Sequence, residues 1–118
     1  MACTAAKGKA GEDMAARLLE EAGFRIIRRN FRSEAGEVDI IAEDHGTLVF
    51  VEVKAWNSYG WENLEYSINK KKQKKIVETA KIFLENYREY SSSQVRFDVI
   101  FIGPGFVRHL ASAFMESV

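Results

Sequence analysis

Two short patterns contain the residues of this sequence that are best suited to chemistry. The first, G-E-V-D-I-I-A, places Asp39 in an apolar run, and the second, L-V-F-V-E-V-K, places Glu52 and Lys54 in another. Carboxylate oxygens are the ligands that Mg²⁺ and Mn²⁺ prefer, commonly one or two of them together with water and substrate phosphate. A nearby lysine can orient a water molecule or offset charge that develops in a transition state. The residues also allow a simpler interpretation, an exposed Glu52–Lys54 ion pair worth about 0–1 kcal/mol.

The two runs are typical of a β-hairpin that closes at the turn E-D-H-G. Symmetric closure there predicts that Asp39 lies opposite Phe50 and that Glu37 lies opposite Glu52. Because side chains alternate along a strand, the acidic residues of both strands then share one face with Lys54. Asp39 and Glu52 become diagonal neighbours with backbones about 7–8 Å apart, so their carboxylates can converge on one cation.

Helices must flank this hairpin. Apolar positions recur at helical spacing from Glu12 to Ala22, and Gly23 is a natural stop. Glu12 lies in the first turn at the edge of the apolar stripe, where its carboxylate can complete the acidic site. A second helix is predicted from about 68 to 87, with strands at 24–31, 36–42, 47–53 and 95–102 and a further strand at 107–114. The order α-β-β-β-α-β predicts an α/β fold with a mixed sheet.

The composition limits the class of protein. The chain has 118 residues, of which 47% are hydrophobic and 29% charged, which predicts one globular domain over 1–118. Its single cysteine excludes an intrachain disulfide. No stretch reaches the roughly 20 apolar residues that span a membrane, and the first residues do not have the pattern of a secretory signal. We therefore expect a cytoplasmic protein that does not enter a membrane.

Basic residues are concentrated in two segments, although lysine plus arginine and aspartate plus glutamate number 17 each. Such segregation can offer a basic surface to phosphates beside an acidic pocket. A solvated helix face explains the lysines equally well. The candidates for nucleic-acid contact are Lys71, Lys72, Gln73, Lys75, Arg29 and Arg32.

Several other residues carry weaker signals. Asp98 lies within V-R-F-D-V-I-F, and we expect it to pair with a nearby arginine. His45 and His109 have no partner at metal-ligand spacing, so both are predicted to be ordinary surface residues. The aromatic side chains that follow Lys54, Trp56 and Trp61 among them, can stack on bases or close over a core.

The ordered motifs resemble the YraN-like family of small bacterial proteins. That family is placed in the PD-(D/E)XK nuclease superfamily and is related to archaeal Holliday-junction resolvases. The two hairpin runs carry most of the resemblance, which extends over most of the chain. The further matches are Gly11-Glu12, Gly23-Phe24, Arg29-Asn30-Phe31-Arg32, Tyr59-Gly60, Lys72-Gln73 and Arg96-Phe97-Asp98-Val99.

The resemblance implies an αβββαβ restriction-endonuclease-like core whose mixed sheet is flanked by helices. It implies that Asp39, Glu52 and Lys54 occupy the D…(D/E)-x-K positions, with Glu12 as the acid from the first helix. The implied activity is a DNA endonuclease that uses Mg²⁺ or Mn²⁺. One departure is that the family usually continues E-V-K-T-R, whereas Ala55 and Trp56 follow here. A basic residue beside the site is therefore missing.

The leading hypothesis is cleavage of branched or structured DNA, with a homodimer suited to a symmetric substrate. Two alternatives remain open. One is a module that keeps the fold and binds structured DNA without cutting it. The other is an interaction protein that does not bind nucleic acid, in which the acidic residues form structural salt bridges.

Overall fold

The computed structural model describes residues 8–55 and 68–115. These residues form two helices, five strands and one short 3-10 turn. In chain order the elements are α1 (Lys9–Glu21), β1 (Arg25–Ser33), β2 (Gly36–Asp44), β3 (Thr47–Ala55), α2 (Lys70–Asn86), the 3-10 turn (Arg88–Tyr90), β4 (Gln94–Gly103) and β5 (Phe106–Phe114).

The strands form one sheet in the order β1-β2-β3-β4-β5. Three neighbouring pairs are antiparallel, and β3 and β4 are parallel. Parallel neighbours need a crossover connection, and α2 lies within the segment that supplies it. The predicted α/β class with a mixed sheet is therefore confirmed, the last strand included, and the arrangement is compatible with a restriction-endonuclease-like core.

Within the described residues, each face of the sheet is covered by one helix. Leu19 of α1 packs in one cluster with Val51 and Ile100. Phe83 of α2 packs in the other cluster with Phe50. Because both faces are buried, β3 and β4 are apolar along most of their length instead of alternating. Among the described residues, no helix is long and apolar enough to cross a membrane.

The first turn of α2 is fixed at several points. The Asn69 side chain accepts a hydrogen bond from the Lys72 backbone N–H at 2.8 Å and caps the helix. The Gln73 amide donates to the Ile68 carbonyl at 3.0 Å. Ile68 packs in a small cluster with Phe101 of β4. The start of α2 therefore lies over the part of the sheet that includes the end of β4.

Gly36 lies where α2 packs against the beginning of β2. Its φ of 148° is one that side-chain-bearing residues rarely adopt. A Cβ at this position would lie 3.5 Å from both the Lys75 Cβ and the Thr79 Oγ1. Because these separations are ordinary van der Waals contacts, the need for glycine in the G-E-V-D pattern comes from its backbone conformation.

The register of the β2–β3 hairpin differs from the prediction by two residues. Asp44 pairs with Thr47 and Ile41 pairs with Phe50. The turn consists of only His45 and Gly46, both with positive φ (50° and 90°), as in the two-residue turns that match strand twist. The predicted pairs of Asp39 with Phe50 and of Glu37 with Glu52 are therefore wrong. A shift of two leaves the alternation of faces unchanged in the regular part of the hairpin.

Candidate functional site

Side-chain alternation along β2 inverts at Asp39. Val38 packs in the cluster beneath α2, whereas Ile40 packs in the cluster beneath α1. In a regular strand, residues two apart have their side chains on the same face. Val38 and Ile40 do not, so the strand is irregular at Asp39, which lies between them. Glu37 alternates with Val38 and so lies on the α1 side, where it pairs with Arg32 at 3.4 Å. The prediction that Glu37 shares a face with the other acidic residues is wrong for this reason.

The neighbouring strand β1 inverts at the same level. Phe31 packs beneath α2, yet Arg29 reaches Asp13 of α1. Asn30, between them, has a positive φ of 54°. The flanking pairs of the register place Asn30 level with Asp39. The irregularity thus involves both strands and defines one position in the sheet.

Asp39 turns its carboxylate towards β3. The residue is only 4% exposed, and its Oδ2 accepts a hydrogen bond from the Val53 backbone N–H at 2.8 Å. Regular pairing between β2 and β3 runs from the hairpin turn to Ile40 and Val51, and Asp39 lies just beyond the last pair. The carboxylate therefore occupies the place between the strands where the regular ladder ends.

Glu52 precedes the residue that Asp39 contacts. It is 3% exposed and, by alternation from Phe50, faces α2. From α2, the Lys72 Nζ lies 3.3 Å from its Oε2. Lys54 alternates onto the same face and is half-buried beside Phe101, its partner in the register. Asp39, Glu52 and Lys54 are thus brought to one region by β2 and β3.

Glu12 lies in the first turn of α1 and faces β1. Its Oε1 is 3.8 Å from the Arg29 Nη2, and the same nitrogen donates to Asp13 at 2.7 Å. Hydrogen bonds from Arg29 and from Lys9 lower the pKa of Asp13 below its ordinary value. Glu12 and Arg29 therefore meet on the α1 side of the sheet, whereas Lys72 approaches Glu52 from the α2 side.

The donor set suits a hard divalent cation. Asp39 and Glu52 offer carboxylate oxygens from buried positions, and Mg²⁺ is commonly bound by one or two carboxylates together with water and phosphate. Within residues 8–55 and 68–115, no group of three or more Asp, Glu, His or Cys side chains is arranged to hold a metal ion. These residues thus offer two carboxylates for a cation, and Lys72 engages one of them.

The predicted nucleic-acid contacts at α2 fall into two groups. Lys71 and Lys75 are exposed in the first turns of the helix. Lys72 and Gln73 are engaged, the first with Glu52 and the second with the Ile68 carbonyl. Of the predicted arginines, Arg32 is exposed on the sheet and Arg29 is held by the acidic residues of α1. The aromatic residues that follow Ala55, including Trp56 and Trp61, lie outside the described residues.

A second group of polar residues surrounds Asp98, which is fully buried. It accepts two hydrogen bonds from Arg96, both at 2.9 Å, and one from the Ser112 N–H at 3.0 Å. The expected arginine partner is thereby confirmed. His109 lies 2.7 Å from the Asp98 carboxylate, so its predicted role as an ordinary surface residue is wrong. The reason is the pairing of β5 with β4, which no local pattern in the sequence reveals.

Burial by itself would raise the pKa of Asp98. Hydrogen bonds from His109, from Arg96 and from the backbone of Ser112 outweigh that effect, so the pKa lies below its ordinary value. The Asp98 group joins β4 to β5 and is a structural network.

Comparison with known proteins identifies the family. Residues 11–102 match the model of "Uncharacterised protein family UPF0102", the YraN family. A UPF0102 protein from Persephonella marina is 49% identical over 108 residues, which cover 92% of each chain. Another from Treponema pallidum is 50% identical over 93 residues, covering 79% of this chain and 74% of the relative. The resemblance found in the motifs is therefore confirmed, and the chain belongs to the UPF0102 family.

Proposed function

We propose that this protein is a metal-dependent endonuclease that hydrolyses phosphodiester bonds in branched or structured DNA. The observation that carries the proposal is the placement of two buried carboxylates, Asp39 and Glu52, on neighbouring strands where the regular β2–β3 pairing ends. Keeping two carboxylates out of water costs on the order of several kcal/mol unless partners compensate their charge. An arrangement that sequesters acidic residues beside Lys54 is what a hydrolytic cation site requires.

Each residue has an assigned role. Asp39 and Glu52 would hold Mg²⁺ or Mn²⁺, which when bound supplies Lewis-acid stabilisation of charge on the phosphate. Lys54, half-buried on the Glu52 face, orients the attacking water or offsets charge on the scissile phosphate. Glu12 assists from the first turn of α1, where its ion pair with Arg29 holds it.

The exposed lysines at the start of α2 supply the surface for DNA. Lys71 and Lys75 project near the helix turn that contacts Glu52, so a backbone phosphate can reach both the lysines and the acidic site. Arg32 adds a further exposed charge on the sheet. A homodimer would place two such sites on a two-fold substrate.

One observation favours a second function, binding of structured DNA without cleavage. Lys72 already neutralises Glu52, and the described residues form no three-carboxylate group. A nuclease-fold module of this kind would need the basic surface but not the acidic site. Its DNA affinity would fall steeply with salt and would survive Glu52→Gln.

Thermal unfolding with increasing Mn²⁺ tests the proposal. A ligand that binds only the folded state stabilises it by about 2.7 kcal/mol at a concentration of 100 Kd. We expect the midpoint of the parent to rise with Mn²⁺, and the rise to disappear in Glu52→Gln. Glu37→Gln is the matched control, because this exposed carboxylate lies on β2 and pairs with Arg32. Its midpoint should respond to Mn²⁺ as the parent's does.

Cleavage assays on flapped and four-way DNA then separate the functions. Mn²⁺-dependent cleavage that Glu52→Gln abolishes supports the nuclease. DNA binding that persists in Glu52→Gln, without cleavage by the parent, supports the binding module. The absence of both metal stabilisation and DNA binding would leave the interaction protein as the remaining hypothesis.

A further inference from the structure

We infer that Lys72 is an internal counter-ion for Glu52, and that it competes with a divalent cation for this carboxylate. The inference rests on the proposed function, because it concerns how the same site becomes able to hold a metal. Lys72 would thereby set the metal affinity of the site without being a ligand.

The ion pair is asymmetric in its access to solvent. The Lys72 Nζ lies 3.3 Å from the Glu52 Oε2, but the Lys72 side chain is 46% exposed and the Glu52 side chain only 4%. The carboxylate cannot turn into water without disrupting the packing beneath α2. The lysine can, because its long stem already extends along the surface. Release therefore requires rotation of one side chain only.

The backbone beneath Lys72 is fixed. Its N–H donates to the Asn69 cap at 2.8 Å, and the next residue, Gln73, is tied to the Ile68 carbonyl. Close packing at Gly36 holds the same helix against β2. The ammonium thus returns to Glu52 from a constant position whenever no metal is bound, and we expect no movement of α2.

The position of the lysine also argues for a role other than helix stability. Lys72 lies in the first turn of α2, where the helix dipole disfavours a cation. The contact with the buried Glu52 carboxylate offsets the unfavourable interaction between the Lys72 ammonium and the helix dipole. Lys74 is exposed two residues further along the same helix and carries the same charge, so it provides a matched comparison.

Mn²⁺ binding, measured by calorimetric titration, tests the inference with the parent, Lys72→Met and Lys74→Met. A cation that binds the parent must weaken the Lys72–Glu52 ion pair, whereas Lys72→Met has no such pair, and about 1.4 kcal/mol corresponds to a tenfold change in affinity. We therefore expect Lys72→Met to bind Mn²⁺ about tenfold more tightly than the parent. Lys74→Met should stay within about twofold, because it removes the same charge without releasing Glu52. Lys72→Gln provides a milder variant if Lys72→Met folds poorly.

Unfolding without metal supplies the second readout. Lys72→Met should lower the melting midpoint by several degrees, since Glu52 loses a partner, and this loss should shrink when Glu52→Gln is also present. Equal Mn²⁺ affinities for Lys72→Met and Lys74→Met would overturn the inference and leave the proposed function intact. No Mn²⁺ binding by any variant would overturn both. Additive effects of Lys72→Met and Glu52→Gln would overturn the counter-ion role whatever the metal result.

Discussion

Replacing Asp98 by asparagine should produce one of the largest losses of stability that a single polar substitution can cause in this protein. The carboxylate is fully buried and accepts hydrogen bonds from Arg96, His109 and the Ser112 N–H. An amide in its place would keep the shape but leave the partly buried Arg96 without its closest anion. Removing one member of a buried ion pair costs about 3–5 kcal/mol. Because the amide can still accept some of these hydrogen bonds, we expect about 3 kcal/mol for Asp98→Asn.

The same contacts predict how the loss depends on pH. The pKa of Asp98 is lowered in the folded protein. A carboxyl with a depressed pKa stabilises the fold above its unfolded pKa, which is about 3.9. That contribution is lost as the pH falls through the folded pKa. Urea unfolding of the parent and Asp98→Asn should therefore give a clear difference at about pH 5 that shrinks below about pH 4.

Asp44→Asn is the control for this experiment. Asp44 contacts the same Arg96 at 3.3 Å but lies near the hairpin turn and is partly exposed. Its removal should change the free energy of unfolding by less than about 1 kcal/mol. A loss below about 1 kcal/mol for Asp98→Asn, or a difference that stays constant down to about pH 3, would refute the reasoning.

Two further predictions concern the surroundings of the site. Gly36→Ala should destabilise the fold by about 1–3 kcal/mol in urea unfolding, because alanine is strained at a φ of 148°. A change below about 0.5 kcal/mol would contradict this conformational requirement. Lys71→Ala should reduce the slope of log DNA affinity against log salt by about 1, the value for one phosphate contact. Arg17→Ala, an exposed charge on α1, should leave that slope unchanged, and equal effects of the two variants would argue against a DNA surface at α2.

Most of the fold could be predicted because its elements leave periodic signals. The apolar residues of α2 repeat at helical spacing. As expected, they face the sheet, where Ile76 and Phe83 pack in one cluster with strand residues. The two hairpin runs and β4 are long and apolar, as strands buried on both faces must be. The exact register could not be predicted, because it depends on the positive φ of His45, which is uncommon for a residue other than glycine.

The contacts of the candidate site depend on features with no local signal. The inversion at Asp39 requires a matching inversion at Asn30 on β1, and neither strand shows it in its pattern of apolar residues. The Lys72–Glu52 pair joins a helix to a strand that lies some 20 positions earlier in the sequence. Residue types therefore pointed to the chemistry, whereas the partners of each carboxylate required the tertiary structure.

The inversion at Asp39 changes the geometrical reason for placing Asp39 near Glu52. The prediction made them diagonal neighbours on one face, which required Glu37 to lie there as well. With the observed register continued, Asp39 would lie level with Glu52, but its carboxylate instead turns between the strands and accepts the Val53 N–H. That hydrogen bond fixes one carboxylate in the sheet, while the ion pair with Lys72 leaves the other dependent on a movable cation. A cation site built in this way has one constant ligand and one for which Lys72 competes, so its affinity is adjustable through Lys72 without altering either acidic residue.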